Sequence, residues 1–120
     1  MTLHIKAVRD KGIYEKERIV LTVDSHGDIG KYILFNTTYE SADTVSSSVR
    51  YTLWLPDYQV TTGDLVVIYT KKSSEIIKKK INDDNTKTIF IYWGLSKSVW
   101  NHGDDSAVLV KIDDWSSKKI

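Results

Sequence analysis

The stretch Val49-Arg50-Tyr51-Thr52-Leu53-Trp54-Leu55-Pro56 alternates cleanly between two sets of side chains. Val49, Tyr51, Leu53 and Leu55 fall on one side of a pleated chain, and Arg50, Thr52 and Trp54 fall on the other. Period two is the mark of a half-buried strand. Pro56 ends it, because proline has no N–H to give to a ladder. The segment also carries a functional expectation. If its apolar side faces the core, Trp54 points outward.

Working outward, the neighbouring segments repeat the pattern. Thr62-Gly63-Asp64 reads as a turn, and Leu65 to Tyr69 is apolar on both faces, as a central strand would be. Tyr32 to Phe35 and Ile89 to Trp93 have the same character. Leu3, Ile5 and Ala7 alternate with His4 and Lys6, and Ile13 to Val23 places Ile19, Leu21 and Val23 on one side. Ala107 to Ile112 is a last strand before a polar tail that carries Trp115. No stretch has the length and 3.6-residue period of a crossover helix, so the sheets are expected to be mostly antiparallel. The expectation is an all-β chain of about seven to nine strands folded as an antiparallel β-sandwich, with a closed barrel as the alternative. Its core should hold Leu21, Leu34, Val67, Ile68, Ile89, Ile91, Leu109 and Trp100.

One segment departs from the pattern. Residues 71–86 are polar and basic, with Lys71, Lys72, Lys78, Lys79 and Lys80. They read as a solvated loop inserted between two buried strands, with one short helix as an option because Ile77 and Ile81 have helical spacing behind Ser73, Ser74 and Glu75.

The chain of 120 residues is the size of one domain, so residues 1–120 are read as a single unit. It has no cysteine, which removes disulfides, thiol catalysis and cysteine-based zinc sites. A net charge of +1 argues against a broad basic face as the main business of the protein. No signal-peptide pattern follows Met1, so the chain as given reads as cytoplasmic; a secreted domain with a trimmed N-terminus would look the same.

No catalytic motif appears, neither a nucleophile elbow, a phosphate loop, a dinucleotide fingerprint nor a zinc-protease helix. His26-Gly27-Asp28 and His102-Gly103-Asp104 read as turn chemistry rather than as metal or acid–base pairs, and the best calcium candidate, Asp104-Asp105 beside Asn101, falls short of the ligands calcium needs. The expectation is therefore a non-enzymatic chain without metal or cofactor. Candidate binding residues are Trp54 with Arg50 and Tyr58, as an aromatic anchor for a protein or a stacking platform for a sugar. The second group is Lys71, Lys72, Lys78, Lys79 and Lys80, which could meet phosphates of a nucleic acid. No aromatic residue is interleaved in that basic run, so base stacking is not expected within it.

Several motifs stand in a telling order. They are Tyr32-Ile33-Leu34-Phe35-Asn36, Thr52-Leu53-Trp54, Thr62-Gly63-Asp64 leading into Leu65-Val66-Val67-Ile68-Tyr69, and Trp100-Asn101-His102-Gly103-Asp104-Asp105-Ser106-Ala107-Val108-Leu109-Val110. In that order they resemble the lamin tail domain, over roughly residues 17 to 115, and the chain looks like a stand-alone member of bacterial type. The resemblance implies an immunoglobulin-like sandwich that binds and does not catalyse. It points to a protein as the partner, with nucleic acid or carbohydrate as alternatives.

Overall fold

A computed structural model describes residues 1–38, 41, 44–46, 49–100 and 103–120. Among these the chain forms ten strands: β1 (Leu3–Arg9), β2 (Arg18–Val23), β3 (Gly27–Asp28), β4 (Tyr32–Thr38), β5 (Thr52–Trp54), β6 (Gln59–Val60), β7 (Leu65–Tyr69), β8 (Ile77–Ile81), β9 (Lys87–Tyr92) and β10 (Asp105–Lys111). The only helical element among the described residues is a 3₁₀ turn, Ile29–Lys31, whose N-cap Asp28 accepts a hydrogen bond from Gly30 N. The all-β expectation holds, with one more strand than the upper count.

The strands form a five-stranded sheet in the order β1-β2-β7-β9-β8, a three-stranded sheet β10-β4-β5, and a small pair β3-β6. Pairing is antiparallel except between β7 and β9, which run parallel. The sheets are thus mostly antiparallel, as expected, and the one parallel pair is what the strand pattern did not indicate. Parallel neighbours need a crossover, which is usually a helix. Here β8 supplies it. The chain leaves β7, runs back along the outer edge as β8, and turns through Asn82–Asn85 into β9, which lies between them.

The basic stretch is thus not simply a loop, and it holds no helix. Ile77 and Ile81 are four residues apart, a spacing that places them on one face of a strand as well as of a helix. Strand β8 has a single neighbour, β9. Its sequence Ile77-Lys78-Lys79-Lys80-Ile81 puts lysines along the exposed edge, where they oppose pairing with another chain.

One core joins the sheets. Leu3, Ile19, Leu21, Val66, Ile68, Ile89 and Ile91 from the five-stranded sheet meet Tyr32, Leu34 and Leu55 from the other side, closed by Ile29, Val60, Val99 and Trp100. Of the expected core residues, Leu109 is partly buried against this cluster. Val67 is buried as well, but on the other face of β7, where its sheet neighbours Val20 and Phe90 flank it. Strand β5 is shorter than the alternation suggested, and Val49 is exposed. Arg50 N and Tyr51 O still bond to Asn36, so the pairing with β4 continues past the strand's end.

Two buried carboxyl groups pin the connections. Glu17 is fully buried. Its Oε1 accepts from Gly12 N (2.8 Å) and Trp100 N (3.2 Å), and its Oε2 from Thr70 Oγ1 (2.5 Å) and Val99 N (3.0 Å). It ties the β1–β2 turn, the end of β7 and the segment before β10 into one joint. Asp64 closes the turn before β7. It accepts from Thr61 N and Lys87 N, both at 2.9 Å, and pairs with Lys87 Nζ at 2.6 Å. Burial alone would raise the Asp64 pKa, but the bonds from Lys87 and Thr61 outweigh it and hold the group below the usual carboxylate value.

Candidate functional site

The outer face of the three-stranded sheet carries the most exposed aromatic surface. Alternation along β4 sends Tyr32, Leu34 and Asn36 inward, and Ile33 and Phe35 outward. Register then lines up two outward rows. Val110, Ile33 and Trp54 lie side by side across β10, β4 and β5, and Val108, Phe35 and Thr52 form the next row. Trp54 is 47% exposed, Val110 39% and Trp115 62%. Trp54 points outward, as its alternation indicated.

Trp54 is held in place. Its Nε1 donates to Gly30 O at 2.7 Å, and the Trp115 ring meets it edge-on at 5.2 Å and 87°. The indole N–H is therefore satisfied within the protein while much of the ring faces solvent. Trp115 comes from the polar tail. Ile112 N donates to Lys31 O at 2.7 Å, extending the β10 ladder and bringing the tail back over Trp54. In the sequence Trp115 stands alone in a polar tail. The only signal for it was an aromatic residue in an otherwise polar segment.

The other candidates around Trp54 have different settings. Arg50 Nη2 lies 3.3 Å from the nearly buried Asp105 Oδ1, joining the lead-in to β5 with the start of β10. Tyr58 is half-buried against the core, and its backbone N donates to Asp28 Oδ1 at 3.0 Å. Tyr58 is thus core-packed while Trp54 and Trp115 share the open face.

The lysines are divided by the pleat. Lys78 and Lys80 pair with Phe90 and Thr88 and share the outer face of the five-stranded sheet, whereas Lys79 pairs with the core-facing Ile89. Lys78 Nζ sits 5.5 Å from the Tyr92 ring centre, and Lys71 Nζ 5.2 Å from that of Tyr69. Lys71 also lies 3.6 Å from Glu15, and Lys72 contributes its backbone N–H to Tyr14 Oη at 3.3 Å. Tyr69 and Tyr92 stack at 5.6 Å and 13°, and the Arg18 guanidinium lies 5.9 Å from Tyr69. A ladder of Arg18, Tyr69, Tyr92 and Lys78 therefore crosses β2, β7, β9 and β8. The basic run itself contains no aromatic residue. The rings come from β7 and β9, brought beside it by register.

Of the described histidines, His26 stands just before β3 and His4 lies on β1. Asp28 caps the 3₁₀ turn and also binds Tyr58 N, and His26 Nδ1 accepts from Thr62 N at 3.4 Å. His4 pairs with Asp24. Asn101 and His102 lie outside the described residues. Among the described residues no group of three or more His, Cys, Asp or Glu side chains could hold a metal ion. No described helix is long and apolar enough to cross a membrane. No protein-family model and no curated protein matches the chain.

Proposed function

We propose that this chain is a non-enzymatic binding module, an immunoglobulin-like sandwich of the lamin-tail kind, that docks a protein on the outer face of its three-stranded sheet. Two sheets contributing to a single core support the sandwich reading. The observation that carries the function is the row Val110–Ile33–Trp54 with Trp115 beside it, an apolar strip whose aromatic members stay half-exposed although fixed by contacts. A rigid, partly exposed tryptophan on an apolar strip has the anatomy of an interface anchor. The immobilised chain and its Trp54→Ala variant, used to capture partners from native extract across a salt series, test the reading. Capture should fail for Trp54→Ala and change little with salt. Equal capture by both would refute it.

A second reading rests on the ladder of Arg18, Tyr69, Tyr92 and Lys78, which offers cations held against rings to a polyanion such as nucleic acid. Titration of labelled single-stranded and duplex oligonucleotides tests it. Binding by this face would weaken steeply with salt and fall in a Lys71→Gln/Lys78→Gln variant. A sugar on Trp54 would instead show as glycan binding lost in Trp54→Ala and kept in the double Gln variant.

A further inference from the structure

The free edges of the larger sheets are not alike. Strand β1 carries His4, Lys6 and Arg9 and a register shift between Ile5 and Ala7. Strand β8 carries three successive lysines, and β5 is only three residues long. Charge, bulges and shortness are the devices by which sheet edges avoid pairing with other chains. Strand β10 is neither short nor bulged, and it carries no charge between its ends. It runs for seven residues, Asp105-Ser106-Ala107-Val108-Leu109-Val110-Lys111, in unbroken register with β4, and its only charges are at its two ends.

Those end charges make the strand self-complementary. Antiparallel pairing with a second copy about Val108 sets Asp105 against Lys111, Ser106 against Val110, and Ala107 against Leu109. Each Lys111 then joins Arg50 beside an Asp105 carboxylate. Slipping the register by two residues would set Asp105 against Leu109 or Lys111 against Ala107 and lose both charge pairs.

The backbone agrees with this register. Ile112 N–H points to β4, where it meets Lys31 O. By alternation, Val110, Val108 and Ser106 also direct their N–H and C=O groups to β4. Those of Asp105, Ala107, Leu109 and Lys111 point away from β4. Pairing about Val108 then makes hydrogen-bonded pairs of these four positions and leaves the two Val108 residues as a non-hydrogen-bonded pair on the two-fold axis.

We infer that β10 is a homotypic interface: two copies of this chain pair antiparallel through β10, centred on Val108, to form one continuous six-stranded sheet. The outer faces of the two three-stranded sheets then run together, with Val108 and Val110 of each copy at the seam. The inference does not rest on the protein-docking reading, and either can fail alone.

The test uses the absence of native cysteine. In a non-hydrogen-bonded antiparallel pair the Cα atoms lie about 4.5 Å apart, within the span of a disulfide. Under mild oxidation the intact chain with Val108→Cys should convert largely to a linked dimer. Ile13→Cys, on the β1–β2 turn and 52% exposed, should link at least about ten-fold more slowly, since a thiol there is accessible and lacks only the proximity. Sedimentation velocity of the wild type from about 10 µM to about 1 mM should show a concentration-dependent dimer, as a small edge interface implies. Val108→Lys, with two like charges on the axis, should stay monomeric with an unchanged far-UV spectrum. A wild type that is monomeric throughout, or a dimer in which Val108→Cys links no faster than Ile13→Cys, would overturn the inference. Trp54→Ala should dimerise like the wild type.

Discussion

Glu17→Gln keeps the size of the side chain and replaces one acceptor oxygen with an NH₂ group. In the native protein both oxygens accept, from Gly12 and Trp100 on one side and from Val99 and Thr70 on the other. Turned toward Gly12 and Trp100, the new NH₂ would face two N–H donors. Turned the other way, it meets the Thr70 hydroxyl, which can rotate to accept, and the Val99 N–H, which cannot. The better orientation still leaves one buried donor unsatisfied, at a cost of about 1–3 kcal/mol. Glu17→Ala strips the partner from three backbone N–H groups, those of Val99 and Trp100 being buried, and should cost about 3 kcal/mol or more. Either is a large share of the ~5–15 kcal/mol stability of a small domain. Urea unfolding followed by tryptophan fluorescence reads it directly, since Trp93 and Trp100 pack together at 6.2 Å beside this joint. The midpoint should fall in the order wild type, Gln, Ala, with the slope unchanged. A Gln variant within about 0.5 kcal/mol of wild type, or an Ala variant no worse than Gln, would refute the accounting.

Asp64 has a lowered native pKa, so on acidification the unfolded chain takes up its proton first. The stability it contributes is complete above the unfolded value and is lost as pH falls from about 4 through the lowered native value; Asp64→Asn should flatten that part of a stability–pH curve measured by denaturant midpoints. Ile91→Ala, at a fully buried position of β9, should cost about 2–5 kcal/mol, measured by the same unfolding assay. Replacing Lys78, Lys79 and Lys80 with Gln removes one cation–ring contact and should cost about 1 kcal/mol or less, while light scattering at high concentration should show faster association through the unguarded β8 edge. Trp54→Ala loses the bond to Gly30 and the Trp115 contact and should cost about 1–2 kcal/mol in thermal or urea unfolding, leaving the fold intact by far-UV circular dichroism.

The strands were legible where a turn signal leads into a short apolar run, as from Thr62 to Tyr69, or where period two is clear, as from Leu3 to Ala7. Strand β8 was not, because Ile77 and Ile81 satisfy helix and strand periods alike, and only its partner β9 decides between them. The parallel β7–β9 pair was hidden for a related reason: the crossover is itself a strand, and no local pattern marks an element as a crossover. The outward direction of Trp54 could be read from its neighbours on β5. The partnership with Trp115 could not, since it joins positions far apart in the chain through the return of the tail. Glu17 is the clearest case. It stands among charged residues in a turn, yet its partners include Thr70, Val99 and Trp100, 53 to 83 residues away. Nothing local separates it from the exposed Glu15.

Partner docking is proposed for the face formed by Val110, Ile33 and Trp54. The most direct test is site-specific photo-crosslinking of the whole chain in cells, with the probe at Val110 on that face or at Thr22 on the outer face of the five-stranded sheet. Discrete adducts with a different protein should form from Val110, be lost when Trp54→Ala is added, and be absent from Thr22. Adducts with a different protein that form from Thr22 alone, or that persist from Val110 without Trp54, would contradict this docking; adducts between two copies of this chain belong to the β10 seam.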